Sequence, residues 1–168
     1  MTPSMSRPVT EASTGTAEPS AWTSSSSAWW VVPGAVVANS EESVKFYNDL
    51  LGFNMALGAS FNDNQQMATT AGTPGASFRQ SRAPIPGTTV SMTLIEFKNI
   101  ERKALTGRTQ DPGTAILQLR VSDVAALTAR MKAAGAKVVT TGGAPVTIGN
   151  LKIALVRDPN NLLLELMQ

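Results

Sequence analysis

A chain of 168 residues, 42% hydrophobic and only 15% charged, carries enough apolar material for one core or for two small modules that share one. Fourteen basic against twelve acidic residues leave a formal charge of +2, and Arg79, Arg82, Lys98, Arg102, Lys103 and Arg108 are scattered without interleaved aromatics, which argues against a nucleic-acid partner. The absence of cysteine removes disulfides and thiol chemistry, and the absence of histidine removes the commonest general base and the commonest transition-metal ligand.

Residues 1–28 are rich in Ser, Thr, Pro and Ala without an apolar period and read as a flexible leader. They lack the basic start and apolar run of a signal peptide, and no window of the chain suits a membrane span, so the expectation is a cytoplasmic protein with no membrane partner. Trp29 to Ala38 is apolar and β-branched enough for a buried strand, with Pro33 marking an edge or a bulge. Asn39 can cap a helix from Glu41 to Leu51, with Glu42 placed to close a capping box. Val44, Tyr47 and Leu51 form the apolar stripe of that helix, and Gly52 stops it.

Phe53 to Ser60 reads as a second strand, followed by a polar, Gly- and Pro-rich stretch from Phe61 to Thr88 that holds a short strand around Ala76 to Gln80. Thr89 to Lys98 alternates as a strand, with Val90, Met92, Leu94 and Glu96 on one face and Ser91, Thr93, Ile95 and Phe97 on the other. Residues 99–113 form a charged linker ending in Asp111-Pro112-Gly113. The pattern then restarts: a strand from Ala115 to Val121, a helix from Asp123 to Ala134 with Val124, Leu127 and Met131 on one stripe, and Gly135 as its stop. Strands at Lys137 to Thr141 and Lys152 to Val156, a turn at Asp158-Pro159-Asn160-Asn161 and a last strand from Leu162 to Met167 complete the chain.

Asn39 maps on Asp123 and Gly52 on Gly135, offsets of 84 and 83 residues, so the chain repeats itself. The expected fold is α+β, two βαβββ modules in tandem (residues 29–98 and 114–168) forming a curved mixed sheet around a concave trough, with the helices outside.

The segments Ser43-Val-Lys-Phe-Tyr-Asn-Asp-Leu-Leu-Gly-Phe53, Leu119-Arg-Val-Ser-Asp123, Val156-Arg-Asp-Pro159 and Leu164-Glu-Leu166 resemble the vicinal oxygen chelate superfamily, which includes glyoxalases, bleomycin resistance proteins and extradiol dioxygenases. The resemblance implies up to four metal ligands, on the first and last strands of each module. Carried over, the last-strand positions fall on Glu96 and Glu165 and the first-strand positions at or beside Val32 and Ile116, where hydrocarbon cannot bind a cation.

Alternation independently turns Ile116, Gln118 and Arg120 toward the trough, with Val32, Gly34 and Val36 opposite and Leu163, Glu165 and Met167 on the last strand. The expected site therefore has no metal and no cofactor. Glu165 and Glu96 are its candidate catalytic residues, and Gln118, Arg120, Val32, Ile116, Met92, Leu94, Leu163 and Trp30 are candidate substrate-binding residues for a small organic molecule.

Three readings of the glutamates stay open. They can be neutralised by partners such as Arg120 or Gln118, act as an acid–base pair with shifted pKa values, or hold a hard cation weakly with Gln118. The functional expectation is a metal-independent isomerase or lyase acting on a small, largely apolar carbonyl or ring compound, with a drug-sequestering protein of the bleomycin-resistance type as the alternative. A homodimer is kept open.

Overall fold

The computed structural model describes residues 32–168; the leader expected at residues 1–28, together with Trp29 and Trp30, lies outside the described residues. In chain order the elements are β1 (Gly34–Val37), α1 (Ser40–Leu51), α2 (Gln65–Thr70), β2 (Ser77–Pro84), β3 (Ser91–Lys98), β4 (Ile116–Arg120), α3 (Val124–Ala133), β5 (Lys137–Val138), a 3-10 turn at Thr141–Gly143, β6 (Val146–Ile148), β7 (Leu151–Arg157) and β8 (Leu163–Met167). They build an α+β fold of two mixed sheets, β1-β3-β2 and β4-β8-β7-β5, with β6 also paired to β7. In each sheet the first strand runs parallel to the last and the remaining pairs are antiparallel, as a tandem repeat requires.

Local chemistry sets the helix ends. The Asn39 side-chain oxygen accepts from the backbone N–H groups of Glu41 and Glu42, and Gly52 at φ 70° takes the left-handed conformation that stops α1. Asp123 caps α3 in the same way by accepting from the Ala126 N–H. Val44 and Tyr47 of α1 pack on Val37, Met92 and Leu94, while Val124, Leu127 and Met131 of α3 pack on Ala154, Val156, Leu164 and Leu166. Phe46, Leu51, Ile85, Leu117 and Leu162 touch both clusters and join the two cores along one seam.

A polar clasp crosses that seam. Fully buried Tyr47 donates its phenol to Asp158 Oδ2 at 3.0 Å, and Asp158 Oδ1 accepts from the N–H groups of Asn160 and Leu162 at 2.8 Å each. Asn160 in turn accepts from the Ala38 N–H at 2.7 Å and donates to Ser43 Oγ at 2.9 Å. Burial, ahead of the Asp158 charge and hydrogen bond, pushes the Tyr47 phenol far above its ordinary pKa, so it stays a donor. Burial also raises the Asp158 carboxyl, against the hydrogen bonds of Asn160, Leu162 and Tyr47 that pull it down.

The strand expected at Phe53 to Ser60 does not form. The Asn48 side-chain amide takes both the N–H and the C=O of Met55 at 3.0 Å, and the Gly58 N–H goes to Ser81 Oγ. A Cβ on Gly58 would lie 2.3 Å from the Gln80 carbonyl oxygen, so the backbone presses directly on β2 and leaves no ladder spacing. The polar stretch that follows is more ordered than expected. Asn64 caps α2 through the Gln66 and Met67 N–H groups, and β2 runs on to Pro84, which an edge strand tolerates. Strand β6 was not anticipated either, being only three residues long.

Tyr47→Phe removes one donor from the buried Asp158 carboxylate without changing the ring. It is expected to lower unfolding free energy by about 1.5–3 kcal/mol, read as a lower urea midpoint at an unchanged slope.

Candidate functional site

Leu117, Leu119, Leu164 and Leu166 pack toward α3, so their strand neighbours point to the opposite face of the second sheet. That face carries Ile116, Gln118 and Arg120 of β4 and Leu163, Glu165 and Met167 of β8, paired in register. Ile153 and Leu155 of β7 extend it, as do Val146 and Ile148 of β6. Ile116 is 42% exposed at one end of the face, and Val146 (42%), Ile148 (62%) and Leu151 (43%) form an exposed apolar group at the other. Near its centre Gln118 Nε2 donates to Glu165 Oε2 at 2.6 Å. Arg120, two residues along β4, is exposed and forms no ion pair among the described residues.

Glu96, Met92 and Leu94 do not join this face. They lie on the helix-facing side of β3, where Met92 and Leu94 are core residues at 1% and 0% exposure. The Glu96 carboxylate accepts from the Ser40 N–H at 2.9 Å and from Arg79 Nη2 at 2.8 Å, so it anchors the start of α1. The Arg79 guanidinium also stacks on the Phe61 ring, 4.8 Å from its centroid. Burial works to raise the Glu96 pKa, but the hydrogen bonds of Arg79 and Ser40 and the Arg79 charge outweigh it and hold the group below the ordinary glutamate range. Of the remaining expected contacts, Ile116, Gln118 and Arg120 are open on the sheet face, and Val32, 40% exposed, precedes β1. Leu163 is fully buried although its register turns it to that face, and Trp30 lies outside the described residues.

The internal repeat explains why Glu96 was misplaced. The N–H of Val124 at the start of α3 donates to Gln168 Oε1 at 3.2 Å, as the N–H of Ser40 at the start of α1 donates to Glu96. The twin of Glu96 is therefore Gln168, and the twin of Glu165 is Thr93, because Gly34 pairs with Thr93 as Gln118 pairs with Glu165. Gly34, Thr93, Gln118 and Glu165 are the paired positions next to the first-strand positions Val32 and Ile116, which are hydrocarbon. One carboxylate, one amide and one hydroxyl make too poor a donor set for a tightly held cation, and the described residues contain no group of three or more Asp, Glu, His or Cys that could hold a metal.

A separate cleft of about 450 Å³ opens between β1, residues 105–115 of the linker and the turn that carries Asn160 and Asn161. Arg157 braces it, donating to the Asn161 carbonyl at 2.7 Å and the Gly107 carbonyl at 2.6 Å. Neither Glu165 nor Gln118 lines this cleft. Beyond the Arg157-Asp158-Pro159 motif this cleft has no local signal, because its walls come from three distant segments.

The sequence model of the Glyoxalase/Bleomycin resistance protein/Dioxygenase superfamily matches residues 30–166. No curated protein matches the sequence. Among solved structures, a glyoxalase family protein from Bacillus cereus superposes with a TM-score of 0.74 at 15% identity, covering 88% of this chain and 97% of that one. An antibiotic-binding protein from a Streptomyces species gives 0.54 at 20% identity over 86% and 97% of the two chains. A genomically encoded fosfomycin resistance protein from Listeria monocytogenes gives 0.54 at 15% identity over 83% and 91%. At these identities the likeness concerns the fold.

Glu96→Gln leaves buried Arg79 with only the exposed Glu41 carboxylate, at 3.7 Å, as its anion, and is expected to cost about 3 kcal/mol at neutral pH. Since the folded-state pKa of Glu96 is depressed, its stabilisation is present above the unfolded value of about 4.3 and is lost as pH falls through the folded value. The stability difference between wild type and Glu96→Gln, measured by chemical denaturation, is expected to shrink across that acid window.

Proposed function

The chain belongs to the Glyoxalase/Bleomycin resistance protein/Dioxygenase superfamily, and we propose that within it the protein sequesters a small, largely apolar organic compound on the open face of β4, β8, β7 and β6. The observation that carries this reading is the exposed surface of Ile116, Val146, Ile148 and Leu151 around one hydrogen-bonded pair, Gln118 and Glu165. Covering roughly 200 Å² of such surface is worth about 5 kcal/mol before the costs of association. The amide–carboxylate pair keeps unused lone pairs and an N–H for one polar group of the ligand, which supplies orientation.

An isomerase or lyase working by paired carboxylates fits less well, because Glu96 is committed to Ser40 and Arg79 beneath α1 and leaves Glu165 as the one carboxylate on the face. The antibiotic-binding and fosfomycin resistance proteins of similar fold support a small-molecule ligand. No helix among the described residues is long and apolar enough to cross a membrane. The proposal includes a cytoplasmic site of action and a homodimeric state.

Titration of the full chain with a panel of planar aromatic antibiotics and with bleomycin, followed by mass spectrometry of the recovered compounds, tests this reading. At least one compound is expected to bind with a micromolar Kd and to return unchanged, and Ile148→Glu is expected to weaken binding at least tenfold with little change in Tm. A modified product whose formation stops in Glu165→Gln would replace sequestration by catalysis.

A further inference from the structure

We infer that the outer edge of β1 is a second recognition element, at which the backbone of Gly34 and Val36 pairs with the amides of a neutral, peptide-like ligand seated in the adjoining cleft. This rests on the small-molecule-binding reading above and adds the chemistry of a ligand for the cleft that lies apart from the open face. Among the described residues, strand β1 is the last strand of its sheet, hydrogen-bonded on one side only, to β3. The Thr93 N–H donates to the Pro33 carbonyl at 2.9 Å. In a parallel ladder that bond turns the backbone of Pro33 and Ala35 toward β3 and that of Gly34, Val36 and Ala38 outward.

The outward groups of these three residues are treated differently. At Ala38 the Asn160 side chain accepts the N–H at 2.7 Å and Arg102 donates to the carbonyl at 3.0 Å, closing that end of the edge. At Gly34 and Val36 no partner for the outward N–H and C=O occurs among the described residues, and both residues are exposed, Val36 to 62%. Both also line the cleft of about 450 Å³, a size suited to a drug-sized compound and too small for a protein strand. Alternate outward amides recur every two residues along a strand, the spacing at which an extended peptide presents its own.

The charged groups in the cleft wall are already committed. Arg157 donates to the carbonyls of Asn161 and Gly107, and Asp111 is chelated by the Arg108 backbone and guanidinium. The wall thus offers amide partners and apolar surface rather than an unpaired charge, which selects a neutral ligand over an anion or a cation.

The test uses the ¹⁵N-labelled full chain titrated with a blocked dipeptide, N-acetyl-valyl-phenylalanine amide, and with its N-methylated analogue, which lacks one amide donor. The Gly34 and Val36 resonances are expected to shift with the parent peptide, with an affinity at least tenfold weaker for the analogue. Val36→Pro deletes an N–H that the sheet does not use, at an edge where proline is tolerated. It is expected to leave Tm within a few degrees and to weaken dipeptide binding at least tenfold. Gly34→Ala gives a milder second variant, since the nearest atom to its Cβ is 3.9 Å away.

Absent shifts at Gly34 and Val36 under saturating dipeptide would overturn the inference. So would slow hydrogen exchange of both amides in the unliganded protein, which would mean the edge is already paired. The two sites separate cleanly: binding of an aromatic compound lost in Ile148→Glu but kept in Val36→Pro belongs to the open face alone and counts against the edge, and the reverse pattern supports the edge and counts against the open face.

Discussion

How the two modules meet is directed by a buried hydrogen bond between them, from the Tyr47 phenol to the Asp158 carboxylate. A carboxylate at 5% exposure is costly unless every oxygen is satisfied, and here the turn supplies two of its own N–H groups while α1 supplies the phenol. Asn160 extends the clasp to Ser43 and to the end of β1. The apolar seam of Phe46, Leu51, Leu117 and Leu162 could close in several registers, because hydrophobic contact is non-directional; directed hydrogen bonds select one. The same clasp also sets one boundary of the cleft beside β1.

A second constraint acts twice. Each long helix begins over a sheet, and in each module a side chain from the last strand or just beyond it accepts the first N–H of that helix, Glu96 for α1 and Gln168 for α3. In the first module the acceptor is charged and needs Arg79 as counter-ion; in the second a neutral amide near the chain terminus performs the task without one. The repeat therefore conserves a geometric job while the chemistry diverges. Glu96 is drawn under a helix and bonded to Ser40 and Arg79, while Glu165 lies on the face of the other sheet that turns away from α3.

On the reading proposed above, recognition of a ligand is divided between side chains and backbone. The open face of the second sheet offers apolar area and one amide–carboxylate pair, and the edge of β1 offers main-chain groups without a partner among the described residues. Edge strands left open along their length invite association, and this chain limits the hazard by closing the Ala38 end with Asn160 and Arg102 and by placing Pro33 at the other. Among the described residues of β1, the open part of the edge runs over Gly34 and Val36.

The apolar periods of the helices, the capping Asn39 and Asp123, the stops at Gly52 and Gly135 and the repeated order of elements were legible in the sequence, because each is decided within a few residues by backbone hydrogen bonding and by strand or helix alternation. The inward turn of Gln118 and Glu165 was legible for the same reason. Which face of β3 carries Glu96 was not: alternation separates two faces but does not say which one a helix covers. Only the Ser40 N–H, 56 positions away in sequence, and Arg79 across the sheet make the covered face tolerable for a carboxylate. The failed strand at Phe53 to Ser60 and the cleft beside β1 belong to the same class, since Asn48, Gly58, Arg157 and Asn160 act on distant backbone. The sequence by itself determined the helices, most of the strands and the family of the fold; the tertiary structure decided which polar groups are spent on holding it together and which stay open, because a buried hydrogen bond depends on partners that meet only once the chain has folded.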